Sequence, residues 1–151
     1  IAQPGKYAGS MKKLIDKTYT DSKNMPGLKG WVFRQGSVVN SLNEPEMVTA
    51  DIFNKGNTWI VFFSIKEDTA SDQFVVMDVV EVKNVLPHWQ ISAALCRQYQ
   101  TANAEIVALV KEPISQEFLK PAKLAWRFNR DKRRFEKINV KDVDCINEAQ
   151  N

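Results

Sequence analysis

The chain has 151 residues, 44% of them hydrophobic and 26% charged, with a net charge of +3. That is ordinary for a water-soluble globular protein and enough for one domain with a real core. No run approaches the roughly eighteen apolar residues of a membrane-crossing helix, and no strong overall charge points to nucleic acid. The first residues, Ile1-Ala-Gln-Pro4, lack a Met, as expected of a processed chain whose signal peptide has been removed or of a trimmed one.

Ile1 to Gly9 reads as an irregular lead-in containing Pro4, Gly5 and Gly9. Ser10 is placed to cap a helix running to about Lys23. Met11, Leu14, Ile15, Thr18 and Tyr19 would form its apolar stripe. Asn24-Met-Pro-Gly27 ends it, because proline and glycine resist continuation. Leu28 to Val39 predicts a strand interrupted at Gly36, and Met47 to Phe53 an edge-compatible strand. Asn54-Lys-Gly-Asn57 suits a tight hairpin turn.

The organising feature is the hairpin from Gly56 to Asn84. Trp59 to Ile65 and Gln73 to Val82 are rich in β-branched and aromatic residues, and both are apolar on both parities. Such strands are expected to be central and covered on both faces, since half-solvated strands alternate. Asp78 interrupts the second run. A carboxylate there is either a site residue with a raised pKa, or is met by an Arg or Lys, or points outward near the sheet edge.

Leu86-Pro-His-Trp89 breaks the pattern, and residues 90–98 fit either helix or strand. Glu105 to Lys111 predicts a strand, and a short helix is possible around Ser115 to Leu119. Lys123 to Arg130 and Arg133 to Val140 predict a last hairpin, followed by an acidic tail. The expected fold is therefore α+β: an N-terminal amphipathic helix packed on a mostly antiparallel meander sheet of six to eight strands.

Chemistry is read mainly by what is missing. Glycine-rich phosphate loops, nucleotide fingerprints and zinc spacings are absent from the sequence, so no cofactor or metal is expected. The one histidine, His88, would have to serve any histidine-based hydrolase, and Cys96 is its candidate partner in a dyad. Asp78 and Glu81 are the candidate pair for acid catalysis, and Glu67, Asp68 and Asp72 for calcium. A solvated hairpin tip explains the latter group as well.

Charge is concentrated in residues 119–141, which carry nine Lys or Arg against two acids. Lys123, Arg127, Arg130, Lys132, Arg133 and Arg134 surround Trp126, Phe128 and Phe135. They form a candidate surface for an anionic partner, and basic residues among aromatics also suit single-stranded nucleic acid. Strand alternation favours buried aromatics and solvated cations, so nucleic acid is the weaker expectation.

Cys96 and Cys145 would pair in an exported protein and remain buried thiols in a cytosolic one. The sequence around them resembles a group of small exported proteobacterial proteins of uncharacterised function. The resemblance rests on Cys96-Arg97, Glu105-Ile-Val-Ala-Leu-Val110, Ala125-Trp-Arg127, Phe135 and Val143-Asp-Cys-Ile-Asn-Glu148, and more loosely on Gly30-Trp31 and Val76-Met-Asp-Val79. It covers about half the chain and implies an envelope location, periplasmic or secreted, and a Cys96–Cys145 disulfide; it carries no activity. The expected function is a non-catalytic binding module of the cell envelope with a protein or anionic partner. The rivals are an inhibitor or immunity-type protein using loop 66–72 or 86–90, a nucleic-acid binder, and a hydrolase.

Overall fold

The computed structural model describes residues 3–40, 44–66, 71–112 and 116–148. It is built from strands: β1 (Thr18–Tyr19), β2 (Val32–Val38), β3 (Met47–Lys55), β4 (Thr58–Lys66), β5 (Phe74–Val82), β6 (Trp89–Ala93), β7 (Cys96–Gln98), β8 (Thr101–Ala102), β9 (Ile106–Lys111), β10 (Phe118–Leu119), β11 (Ala122–Asn129), β12 (Arg134–Lys137) and β13 (Val143–Ile146). The first sheet has the order β1-β5-β4-β3-β2, the second β12-β11-β9-β6, and the third β10-β13-β7-β8. All their pairings are antiparallel.

The expected α+β class is corrected: the architecture is almost entirely β. Where an N-terminal helix was expected from Ser10 to Lys23, the chain forms a single 3-10 stretch, Gly9–Leu14, and a shorter one, Ser22–Asn24. The stripe was ambiguous because residues at i and i+3, here Met11 and Leu14, share a side in a 3-10 helix as well as in an α-helix. Ile15 already turns extended, and Asp16 sits at φ 70. The chain then docks on β5 through Asp16 N–H to Val76 O at 2.9 Å and Val76 N–H to Lys17 O at 3.0 Å. Thr18 and Tyr19, good strand formers, pair with Val75 and Phe74.

The central hairpin is as expected, with β4 in the middle of its sheet and β5 beside it. Both of its faces are covered. Val61, Phe63, Ile65 and Val80 enter the main core between the first two sheets, with Ile91, Val107, Trp126, Phe128 and Phe135 opposite. Ile60, Phe62, Val76 and Val79 enter a second core, roofed by Ala8, Met11, Leu14, Tyr19, Met25 and Leu28. The lead-in thus does the covering expected of the helix, without being one. On the far side of the second sheet, Ile106, Ala108, Val110 and Ala125 pack on the third sheet around Cys96 and Cys145.

Other expectations shift in detail. The β3 strand is internal and β2 is the edge. The β2 irregularity falls between Phe33 and Gln35 rather than at Gly36. Gly36 is needed for another reason: a Cβ there would lie 2.9 Å from Asp51 Oδ1 and 3.2 Å from Phe33 Cζ. The tight turn between β3 and β4 is Gly56-Asn57, with Gly56 at φ 59. Residues 90–98 are extended, contributing to β6 and β7. Ser115 lies outside the described residues, and Phe118–Leu119 is a strand. Cys96 and Cys145 are cross-strand partners joined by a disulfide.

Asp78, 1% exposed, meets no cation among the described residues. Its Oδ1 accepts from Gly5 N–H at 2.7 Å and Val79 N–H at 2.8 Å, and its Oδ2 from Phe135 N–H at 2.7 Å. One carboxylate therefore ties the lead-in, the central sheet and the β11–β12 hairpin together. Burial pushes its carboxyl up, against the pull of the Phe135, Val79 and Gly5 amides.

Candidate functional site

The catalytic candidates are not brought together. Cys96 is tied up in the disulfide, which removes the thiol that a dyad with His88 needs. His88 is exposed at φ 70, and its carbonyl accepts from Glu112 N–H at 2.7 Å. Asp78 and Glu81 leave opposite faces of β5. Asp78 reaches Phe135, whereas Glu81 accepts from Ser10 Oγ at 2.7 Å on the lead-in side. Of the calcium candidates, Glu67 and Asp68 lie outside the described residues and Asp72 is exposed. Among the described residues no three His, Cys, Asp or Glu side chains cluster as metal ligands.

The basic hairpin is divided by the fold. Its turn, at one end of the sheets, meets acids from elsewhere in the chain. Arg130 pairs with Glu44 and, at 3.5 Å, with Glu46, and Arg133 approaches Glu46 at 3.7 Å. Arg127 and Arg134 both face Glu136, at 3.9 and 3.4 Å. Glu136 has its carboxyl pulled down by the Asn129 amide and by Arg134. Lys132 is exposed, with its backbone N–H on Asn129 Oδ1 at 3.1 Å. The aromatics Trp126, Phe128 and Phe135 are buried. Lys123 alone of the six candidates goes to the opposite end, with Nζ 5.9 Å from the Trp89 ring centroid.

That opposite end carries a different constellation. In an antiparallel meander every second strand starts at the same end. Here Trp31 directly precedes β2, Trp59 is the second residue of β4, and Trp89 opens β6. Registers confirm the convergence: Val32 lies opposite Asn54, Trp59 opposite Val82, and Trp89 opposite Lys111. Three of the four tryptophans thus stand at one end, each half-buried, but on two sides of the first sheet: Trp31 packs on the lead-in core, and Trp59 and Trp89 pack on the main core. The same rule brings strand-terminal cations there: Lys55 closes β3, Lys83 follows β5, Lys111 closes β9 and Lys123 is the second residue of β11.

Two large apolar side chains project from this end, Leu86 at 60% and Val32 at 49% exposure. Leu86 belongs to the short connection between β5 and β6, which lines one continuous surface with Trp59, Val85, Pro87 and Trp89. Lys83, Lys123 and Leu124 extend that surface. The connection is held at several points. Val85 N–H donates to Asn57 O at 2.9 Å and Trp89 N–H to Leu86 O at 3.2 Å. Asn84 and His88 take the left-handed conformation, at φ 58 and φ 70. The turn before β2 abuts the β3–β4 turn: a Cβ at Gly30 would lie 3.8 Å from Lys55 Nζ.

The cations here are largely uncompensated. Among the described residues, Lys29, Arg34, Lys55, Lys111 and Lys123 make no ion pair, and Lys83 has Glu81 at 3.8 Å. Arg34 lies 5.7 Å from the Trp59 ring centroid and donates through Nε to Asn54 Oδ1. Cations over aromatic faces and half-buried tryptophans are what binding surfaces concentrate. A neighbouring cleft of about 540 Å³ runs between the open edges of β2 and β6, walled by Arg34, Gln35, Trp59, Gln90, Ser92 and Glu112. Gln35 Nε2 bridges it to Ala93 O at 2.8 Å.

The sequence reading singled out Lys123 but missed Trp31, Trp59, Leu86, Trp89, Lys55, Lys83 and Lys111 as a group. The signal existed: each tryptophan stands at a strand start and each lysine at or just beyond a strand terminus. Nothing local says that these termini meet. The fold and the site together define an all-β chain with an aromatic, basic end. Comparison with protein-family models, with curated proteins and with solved structures found no match.

Proposed function

We propose that this chain is a non-catalytic binding module of the cell envelope that engages an anionic partner through its tryptophan-bearing end. The observation that carries the reading is the surface that exposed Leu86 shares with Trp59 and Trp89, extended by Lys83 and Lys123. Exposed apolar groups ringed by one sign of charge mark interaction surfaces. The envelope assignment is supported by the Cys96–Cys145 disulfide, which oxidising compartments preserve, and by the resemblance noted above. The arginines of the β11–β12 turn face acids of this same chain, which moves the anionic surface away from that turn and weakens the nucleic-acid reading.

A titration with polyglutamate, followed by tryptophan emission at low and high salt, tests this. Binding should weaken with salt and be lost when Lys55, Lys83 and Lys123 are changed together to glutamate. Lys132→Glu at the opposite end should leave it intact. Equal binding by the triple variant, or loss with Lys132→Glu, would refute the proposal.

One observation favours a second reading, an inhibitor or immunity-type protein. The 83–88 connection presents Leu86 on backbone pinned at both sides, a preorganised shape that lowers the cost of docking into an enzyme cleft. Loss of inhibition of an envelope enzyme with Leu86→Asp would distinguish it.

A further inference from the structure

We infer that the anionic partner of this end is a phospholipid surface, with Leu86 and Val32 as the inserted side chains. The inference rests on the binding reading above and specifies its partner. It starts from shape. Leu86, at 60% exposure, stands on the connection at this end, and Val32, at 49%, is exposed at the start of edge strand β2, whereas a peptide-binding site would sink its anchors into a socket. The unpaired backbone edges that an extended peptide needs belong to β2 and β6, and they flank the neighbouring cleft.

Behind Leu86, Trp59 and Trp89 are half-buried, and Trp31 is half-buried on the other side of the first sheet. Indole rings at that depth suit the headgroup region, where one part of the ring is apolar and the other wet. Around them stand Lys55, Lys83, Lys111 and Lys123, all exposed. Lysines on long apolar stems can lie along acyl chains while their ammonium groups reach phosphates. Arg34 and Lys123 already sit over Trp59 and Trp89, so each ring is paired with a cation that a phosphate can share. Glu81, Glu112 and Glu148 border this end; Glu81 lies 3.8 Å from Lys83, Glu112 and Glu148 line the neighbouring cleft, and the Glu112 backbone is bound to His88.

The two ends therefore differ in kind. At the far end Arg130 and Arg133 are engaged by Glu44 and Glu46; at this end, among the described residues, Lys83 has Glu81 at 3.8 Å and Lys55, Lys111 and Lys123 make no ion pair. The molecule would stand on the membrane with its strands steeply inclined to the surface and the disulfide-bearing third sheet to one side.

The test uses the full chain with vesicles of phosphatidylcholine alone and of phosphatidylcholine with about one third phosphatidylglycerol. Co-sedimentation and tryptophan emission are measured, and brominated acyl chains serve as depth-dependent quenchers. Binding to the anionic vesicles should be at least about tenfold tighter than to neutral ones, with a blue shift and bromine quenching. Lys83→Gln should weaken it about fivefold, one charge at the surface. Leu86→Asp should weaken it more and abolish the quenching, while the melting temperature stays that of the parent chain.

Binding undiminished by Leu86→Asp, or without bromine quenching, would overturn insertion. Failure to bind anionic vesicles while polyglutamate still binds would overturn the lipid assignment and leave the anionic-partner reading standing, with an acidic protein as its target. Failure with both would remove both.

Discussion

Replacing Asp78 by alanine should cost far more than any single apolar contact around it. The carboxylate accepts from three backbone amides, those of Gly5, Val79 and Phe135, at 2.7 to 2.8 Å. The site is 1% exposed, so water does not simply replace it. Each buried N–H left without an acceptor costs about 1–3 kcal/mol. Partial relaxation of the lead-in, which can peel away and hydrate Gly5, brings the expected total to about 3–5 kcal/mol. Urea unfolding followed by far-ultraviolet circular dichroism measures it. With a slope of about 1–3 kcal/mol per molar, the midpoint should fall by about 2 M. Hydrogen exchange gives the local signature: protection should drop at Phe135 and Val79 beyond the global loss. Asp78→Asn, which keeps the volume but turns an N–H donor toward the amides, should lie between alanine and the parent. Asp72→Ala, at an exposed carboxylate of the same hairpin, should change stability by less than about 0.5 kcal/mol. A cost below about 1 kcal/mol for Asp78→Ala, with Phe135 protection retained, would refute the clasp.

Asp51 gives a pH-dependent counterpart. Burial raises its carboxyl above the ordinary 3.8, while Ser22 Oγ and Tyr19 Oη donate to it at 3.1 and 3.2 Å. A raised native pKa means that the folded chain holds the proton longer than the unfolded one. Asp51 should therefore cost stability progressively as pH rises from about 3.8 through its raised native value. Asp51→Asn should gain on the parent over that window, measured as unfolding free energy against pH; a constant difference would contradict the reasoning. Gly36→Ala puts a Cβ 2.9 Å from Asp51 Oδ1 and should destabilise by about 1–3 kcal/mol in thermal melts. Changing Cys96 and Cys145 to serine opens a link spanning 49 residues, with an expected loss of about 4 kcal/mol in the chain-entropy model; unchanged urea midpoints would argue against it.

How much of this was legible depended on range. The β4–β5 hairpin could be read locally because its β-branched and aromatic residues favour strand over buried helix, and apolar residues on both parities then call for cover on both faces. The N-terminal segment could not: Met11 and Leu14 satisfy a 3-10 turn as well as a helix, and Asp16's reversal is fixed by its bond to Val76, far away in sequence. Asp78 was recognisable as an anomaly, but its three amide donors come from residues 5, 79 and 135, and only the first-neighbour one is local. The 119–141 charge cluster was visible as a block, yet the fold cut it in two, because opposite ends of one strand sit at opposite ends of the sheets.

The sequence alone determined that the chain would build antiparallel strands around a doubly covered hairpin, since burial preferences act residue by residue along the chain. Tertiary structure decided what stands next to what. Trp31, Trp59 and Trp89, at or beside the starts of β2, β4 and β6, share one end because β2 to β5 reverse direction at each turn and the short 83–88 connection enters the second sheet at that same end. Arginines of the last hairpin meet Glu44 and Glu46 because sheet packing closes that distance. Charge and aromaticity become a binding surface only when neighbours leave them uncompensated, and neighbours are a property of the folded chain.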